Sequence, residues 1–374
     1  MMKVYADHAA TTKLDIDAFE AMKPFLLNEF GNASQPYSFA RTAKDALKSA
    51  RATIAKCINA DPDEIYFTSG GTESDNWAIK STALVLGDNR ATITSQIEHH
   101  AVLHACHAVE RMGFPVVYLP VDPRGVVQPD ILAEYIGGST KLVSIMYANN
   151  EIGTIQPIKE LCEIAHSKGA LFHTDAVQAV GHILIDVKEL NIDMLSASAH
   201  KFNGPKGIGF LYIKKGTPIL PYVDGGAQEF GMRAGTENVA SIVAMAVALE
   251  KNCNRMHSVN DHLIRLERKL LTSLQTAGLD FIRNGSYDRI PGNMSLSFRG
   301  FEGEMLLHRL DLMGISISTG SACDSKNTQL SHVLRAVHTP SEYANGTIRI
   351  SLGHENTEEE ISYIAASLIK ILKR

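Results

Sequence analysis

Paired cysteines are missing from this chain of 374 residues. Its five cysteines, Cys57, Cys106, Cys162, Cys253 and Cys323, are odd in number, and no two are close in sequence. That argues against a disulfide framework and against a zinc site built on cysteine pairs, and for free thiols in a reducing compartment. Positive charge is not in excess either: the formal net charge is -5, so no global basic field draws the chain to nucleic acid or to an anionic membrane. No stretch reaches the roughly 18 apolar residues of a membrane span. The opening residues, Met1 to Thr12, carry Asp7 and no apolar run, which argues against a signal peptide. Repeats and low-complexity tracts are absent. A cytoplasmic location is the expectation.

What is present is ordinary globular material, 45% hydrophobic and 21% charged, in a length that suits two domains. From about residue 61 to 212, short β-rich runs alternate with longer helical patterns. The strand-like runs are 65–68, 91–95, 116–119, 142–146, 171–175, 194–198 and 208–213; helical patterns include 72–86, 99–112 and 158–167. That alternation predicts an α/β fold with a mainly parallel seven-stranded sheet covered on both faces. A long helical pattern, 238–277, follows. The remainder, with strands at 294–298 and 347–351 and helices at 302–313 and 357–372, reads as a smaller α+β C-terminal domain. The expected division is a large domain over 1–250, whose first few residues pack with the small domain, and a small domain over 251–374.

In such sheets ligands bind beyond the carboxyl ends of the strands, so the residues just after each strand matter. After 65–68 comes Ser69-Gly70-Gly71-Thr72-Glu73, where glycines let backbone amides approach an anion at a helix start. Alone, that stretch is equally well a tight turn. The run 171–175 ends in Asp175, followed by Gln178; a carboxylate there can pair with a protonated pyridine nitrogen. The run 194–198 ends in Ser198-Ala199-His200-Lys201-Phe202 and a glycine-rich loop. A lysine at such a place can bond covalently to a cofactor aldehyde, and Ser198 and His200 beside it can bind a phosphate. Lys206 is a rival, but it follows a proline inside the loop. His100, His104 and His107 recur at helical spacing without a carboxylate partner, so no metal site is expected. Cys106, Cys162 and Cys253 lie in amphipathic patterns and read as structural.

With these motifs in hand, the chain resembles the NifS/IscS-type cysteine desulfurases, fold-type I pyridoxal-phosphate enzymes of the class V aminotransferase family, almost end to end. The resemblance rests on Ala6-Asp7-His8-Ala9-Ala10-Thr11-Thr12, Thr68 to Asn76, Glu98-His99-His100-Ala101-Val102 and Ala148 to Thr154. It continues through Thr174 to Gln178, Ser198 to Phe202, Gly225-Gly226, Gln228-Glu229, Arg233 to Asn238 and Ser321-Ala322-Cys323. It implies a homodimer that binds pyridoxal 5'-phosphate and acts on L-cysteine. By that resemblance Lys201 bonds the cofactor, Asp175 holds the pyridinium nitrogen, Gln178 the ring hydroxyl, and His99 stacks on the ring and handles protons. Gly71, Thr72, Ser198 and His200 form the phosphate site, with Thr236 reaching it from the other subunit. Asn150, which also contacts the cofactor, and Arg349 hold the substrate, a planar guanidinium being suited to a carboxylate.

The cofactor class does not choose among transamination, decarboxylation and elimination. The stretch Ser318 to Asn327 does, because its small polar composition suits an exposed mobile loop and presents Cys323. The resemblance implies that this thiol takes the sulfur of cysteine as a persulfide, leaves alanine, and passes the sulfur to an acceptor protein. That acceptor serves iron–sulfur assembly, tRNA thiolation or another sulfur modification. An aminotransferase, a simple C–S lyase and a non-catalytic scaffold for a sulfur carrier are the alternatives. The chain departs from the family pattern at Ala33-Ser34-Gln35, at Tyr37, after Cys323 and at His338. None of these departures touches the cofactor set; they bear on which acceptor docks.

Overall fold

A computed structural model describes residues 2–85, 90–319 and 330–373. The chain opens with a short strand, β1 (Val4–Tyr5), and two helices, α1 (Ile16–Leu27) and α2 (Arg41–Cys57). In α2 the buried residues are Ala43, Leu47, Ala50, Ile54 and Ala55, one stripe of an otherwise polar helix, and that stripe faces the core.

The seven-stranded sheet comprises β2 (Ile65–Thr68), β3 (Ala91–Ser95), β4 (Val116–Leu119), β5 (Thr140–Ser144), β6 (Leu171–Asp175), β7 (Met194–Ser198) and β8 (Gly209–Ile213), in the order β2-β8-β7-β6-β5-β3-β4. Only β8 runs against its neighbours β2 and β7, while β3 to β7 pair in parallel. Every residue of β5, β7 and β8 is buried, as expected of strands covered on both faces by helices. The covering helices include α3 (Gly71–Val85), α4 (His100–Arg111), α5 (Pro129–Tyr135) and α6 (Ile158–Ser167).

Two sequence expectations shift. The strand expected at 142–146 is β5 at Thr140–Ser144. Polar Thr140 and Lys141 hid its start, but Lys141 is buried with Nζ reaching the carbonyl of Ala83. At its far end the Met146 amide turns away to the carboxylate of Glu98. Helix α3 starts at Gly71, so Thr72 lies within the first turn.

Helix α7 (Val239–Thr276) has 38 residues, a length of about 57 Å at 1.5 Å per residue. Its first half, Ile242 to Leu249, belongs to the large core beneath the sheet. Its second half, Leu263 to Leu274, belongs to another core, with Val4 and Ala6 from the start of the chain and Ile361, Ile364 and Leu368 from the C-terminal helix Glu358–Leu372. This second core carries the antiparallel strands β9 (Phe281–Arg283), β10 (Asn293–Phe298) and β12 (Thr347–Ser351), while β1 pairs with β11 (Ile315–Ser316). The strand order of the large sheet switches direction between β3 and β5, the kind of point beside which doubly wound folds bind ligands beyond the strand ends.

Candidate active site

A cavity of about 300 Å³ lies at the carboxyl ends of the parallel strands. From the phosphate-type loop and the strand ends, Gly71, Thr72, Asp175, Gln178, Ser198, His200 and Lys201 line it. His99, Asn150 and Arg349 close the other sides. Thr236 is exposed and stands outside this lining. Cys323 lies outside the described residues. Lys206 borders only a shallower adjoining opening, shared with Ser69, Gly70, Gly71, Thr72, Ser198 and His200.

Lys201 follows β7 directly. Its Nζ donates to the carbonyls of Ala9 (2.6 Å) and Ala10 (2.9 Å), and Gln178 Nε2 donates to the same Ala9 oxygen at 3.0 Å. Two backbone carbonyls therefore hold the amine against the N-terminal segment, inside the cavity.

Asp175 ends β6 and is 5% exposed. Its Oδ1 accepts from the Val177 amide at 2.9 Å, which aims the carboxyl into the cavity. Burial raises its pKa, opposed by the Val177 bond and by Lys201. Beneath it, Asp75 is fully buried with its pKa raised by burial and by Asp175, and its Oδ1 finds no hydrogen-bond partner among the described residues. A third buried carboxyl, Glu98, is pushed up to about 8 by burial, although the Ser95 hydroxyl and the Met146 amide both donate to it. Buried acids cost stability unless a cation or proton joins them. This cluster therefore favours a cationic group above it.

His99 caps α4: its Nδ1 accepts from the Ala101 amide at 3.1 Å. The proton of the neutral ring consequently sits on Nε2. Burial, then the charge of Lys201, lowers its pKa to about 4, so the ring is neutral at physiological pH. His200 is likewise lowered to about 4 by burial, with Lys201 and Lys206 adding to it, and its Nδ1 lies 3.1 Å from the Thr11 hydroxyl.

Arg349 projects from β12 and is 3% exposed. Nη2 pairs with Asp7 at 2.7 Å and Nη1 donates to the Asn150 carbonyl at 2.9 Å. Its buried Nε has no hydrogen-bond partner among the described residues. An unsatisfied buried donor on a guanidinium is a cost that a carboxylate partner would offset. The neighbouring Asn149 shapes the loop instead: its side chain bonds Ile97, Glu151 and Ile152 backbone groups at 2.8–3.0 Å.

These residues fit pyridoxal phosphate by the chemistry of the donor set. Gly70 has φ of +150°, open to glycine, and a side chain at Gly71 would meet Val177 Cγ2 at 2.5 Å. Backbone amides at the start of α3 can thus approach an anion closely, with Thr72, Ser198 and His200 around it. A carboxyl, Asp175, and an amine, Lys201, line the same cavity.

Sequence reasoning missed the structural partners. Asp7, Ala9 and Ala10 sit in a motif that carried the resemblance without a role. Their task emerges only from folding, which brings the chain start onto Lys201 and Arg349. Asp75 and Glu98 also sit inside quoted motifs, but burial on neighbouring elements is what gives them significance. No group of three or more His, Cys, Asp or Glu among the described residues is placed to hold a metal ion, and no described helix is long and apolar enough to cross a membrane.

The chain has relatives among known proteins. The family model described as Aminotransferase class-V matches residues 4–364. The chain is 48% identical over 380 residues to the cysteine desulfurase IscS of Dictyoglomus turgidum, covering 100% of this chain and 95% of that protein. It is 48% identical over 372 residues to the cysteine desulfurase IscS of Methanosarcina thermophila, covering 99% and 92%. Among solved structures, a NifS-like protein superposes with a TM-score of 0.94 at 40% identity, each chain covered fully. A structure described as SspA in complex with cysteine superposes with a TM-score of 0.83 at 34% identity, covering 95% of this chain and 100% of that one.

Proposed function

The chain belongs to the class-V aminotransferase family and is a cysteine desulfurase, and on that premise we propose how its residues divide the work. The observation that carries the reading is the convergence of Lys201, Asp175, His99 and Arg349 on one cavity at the strand ends. Pyridoxal phosphate, bound there, supplies an electron sink that weakens bonds at the substrate's α and β carbons. Lys201 would anchor it through its amine, Asp175 would pair with its ring nitrogen, and Gln178 with its ring hydroxyl. Gly71, Thr72, Ser198 and His200 would hold the phosphate.

Arg349, whose Nε alone lacks a partner among the described residues, serves the α-carboxylate of L-cysteine, and Asn150 helps to orient the substrate. The relative titled as a complex with cysteine supports this choice of substrate. His99, neutral with its proton on Nε2, lines the cavity; it would stack on the bound ring and can donate or take a proton there. Lys201, whose amine lies in the same cavity, would be the second proton carrier. Cys323 completes the reaction as a thiolate: it forms a bond to the substrate sulfur, the Cβ–S bond breaks, and the carbon takes a proton to give alanine. The persulfide sulfur then passes to an acceptor protein.

Thr236, exposed on its own chain, completes the phosphate site of a second subunit in a homodimer. A cytoplasmic setting, with sulfur delivered to iron–sulfur assembly or thiolation, suits free thiols and the IscS relatives. The test is turnover of L-cysteine by the purified protein. Alanine formed in step with sulfide or persulfide supports the reading; pyruvate with ammonia, or a keto acid, would mark a lyase or an aminotransferase instead.

A further inference from the structure

The loop from Gly225 to Thr236 carries a motif, Gln228-Glu229 with Arg233, to which the reaction assigns no role. In the fold this loop is fastened to the floor of the phosphate end by two Arg–Glu pairs. In the first, Arg51 grips Glu229 in a two-point fork, at 2.8 Å and 2.7 Å, and Glu229 also accepts from the Phe67 amide of β2 at 2.8 Å. That clamp holds Glu229 and Phe230 at φ of +46° and +58°, a left-handed conformation that side chains adopt only when held. The Arg51 guanidinium also lies 4.3 Å from the Phe67 ring centre and 5.1 Å from that of Phe230.

The second pair touches the cofactor end itself. Arg233 Nε donates to Glu73 Oε1 at 2.8 Å and Nη2 to Oε2 at 3.2 Å. Glu73 Oε2 also accepts from the amide of Ser69, at the mouth of the glycine loop, at 2.9 Å. Glu73 lines the opening shared by Gly70, Thr72, Ser198 and His200. A carboxylate lining that opening would repel a phosphate held by the same residues, since like charges at close range in a partly buried site repel strongly. The carboxylate is nevertheless needed, because it fixes the Ser69 amide and so the turn of the loop.

We propose that Arg233 is a positioning residue of the phosphate site: it neutralises Glu73, so that one side chain can brace the glycine loop without repelling the phosphate. The proposal rests on the reading of Ser69 to Thr72 as the phosphate loop. It also explains why Arg233 and Thr236 share one short segment. The residue that clears the charge in its own subunit fixes the register of a residue offered to the other.

The test compares two probes on the full-length protein freed of cofactor, pyridoxal phosphate and pyridoxal, with binding followed by absorbance. Arg233→Ala should weaken pyridoxal phosphate about tenfold and leave pyridoxal, which lacks the phosphate, essentially unchanged. Adding Glu73→Gln to Arg233→Ala should recover most of the loss, since the repelling charge is gone while an acceptor for Ser69 remains. Arg233→Lys, which keeps the charge and loses the fork, should stay within about threefold of wild type; this variant also serves if Arg233→Ala does not fold. A double variant as weak as Arg233→Ala, equal weakening of both probes, or a lysine variant as weak as the alanine one would overturn the proposal. A wild-type protein that binds both probes alike would instead overturn the phosphate reading beneath it.

Discussion

The two walls of the cavity are built on opposite electrostatic plans. The wall formed by the parallel sheet keeps charge scarce by burial: His99 is neutral, and Asp75, Asp175 and Glu98 all have raised pKa values for lack of water. The wall formed by β12 keeps a full positive charge, Arg349, by giving it a full negative one, Asp7, at 2.7 Å. The difference teaches which wall meets which part of the chemistry. A cationic ring and a moving proton need groups that gain by accepting charge, whereas a substrate carboxylate needs a cation that is already there and already oriented. The chain start joins the two plans, since Asp7 serves Arg349 while Ala9 and Ala10 hold Lys201.

Breaking the sheet wall at its centre should have the largest effect. Lys201→Ala should abolish turnover and leave at most non-covalent cofactor, read as the loss of a borohydride-reducible lysine link by peptide mapping. A link that persists, mapping to Lys206, would move the covalent site to the outer opening. On the opposite wall, Arg349→Lys keeps the charge but loses the planar fork, and strands Asp7 with a partner that reaches one oxygen. The KM for cysteine should rise by roughly 10- to 100-fold, equivalent to about 1.4–2.7 kcal/mol, with a smaller change in kcat. If kcat falls and KM does not, Arg349 acts in the chemical step and the contrast between the walls fails.

Much of the sheet wall was legible in the sequence, because strand ends follow from β/α alternation: Asp175 and Ser198 close runs of strand-forming residues, and Thr72 and Lys201 follow such runs within a few residues. The other wall was legible only through the family resemblance, which named Asn150 and Arg349 but not the pairing with Asp7. Arg349 stands in a short strand of a different sheet, 342 residues from the aspartate it pairs with, and no local pattern encodes that meeting. Lys141 hid the start of β5 because a lysine reads as solvated, yet its stem lies buried and its amine finds the Ala83 carbonyl. The helices α1 and α2 and the buried Asp75 and Glu98 likewise escaped notice, since burial of a carboxyl is decided by what packs over it.

Two smaller effects sharpen the comparison. Thr236→Ala should weaken cofactor retention by roughly 1–3 kcal/mol, the cost of leaving a phosphate oxygen unsatisfied, while light scattering still reports a dimer. A monomer with full activity would remove the shared site. The smallest expected effect is a null one. Burial lowers His99 to about 4, so it gains its proton only as pH falls towards 4 and stays neutral above. The ratio of kcat/KM between wild type and His99→Gln should therefore be flat from about pH 5.5 to 7.5. A ratio that changes tenfold per unit near pH 6.5 would mean that His99 titrates like a solvated histidine and that the dry-wall description is wrong.

The central claim is that the cavity activates cysteine and that Cys323 alone takes its sulfur. Mass spectrometry of the holoenzyme after a short pulse of L-cysteine tests this most directly. One added sulfur atom on the peptide containing Cys323, absent in Cys323→Ser and unaffected by changing Cys57, Cys106, Cys162 or Cys253 to Ala, is the predicted result. Sulfur on any of those four instead, or alanine made by Cys323→Ser at the wild-type rate, would contradict it.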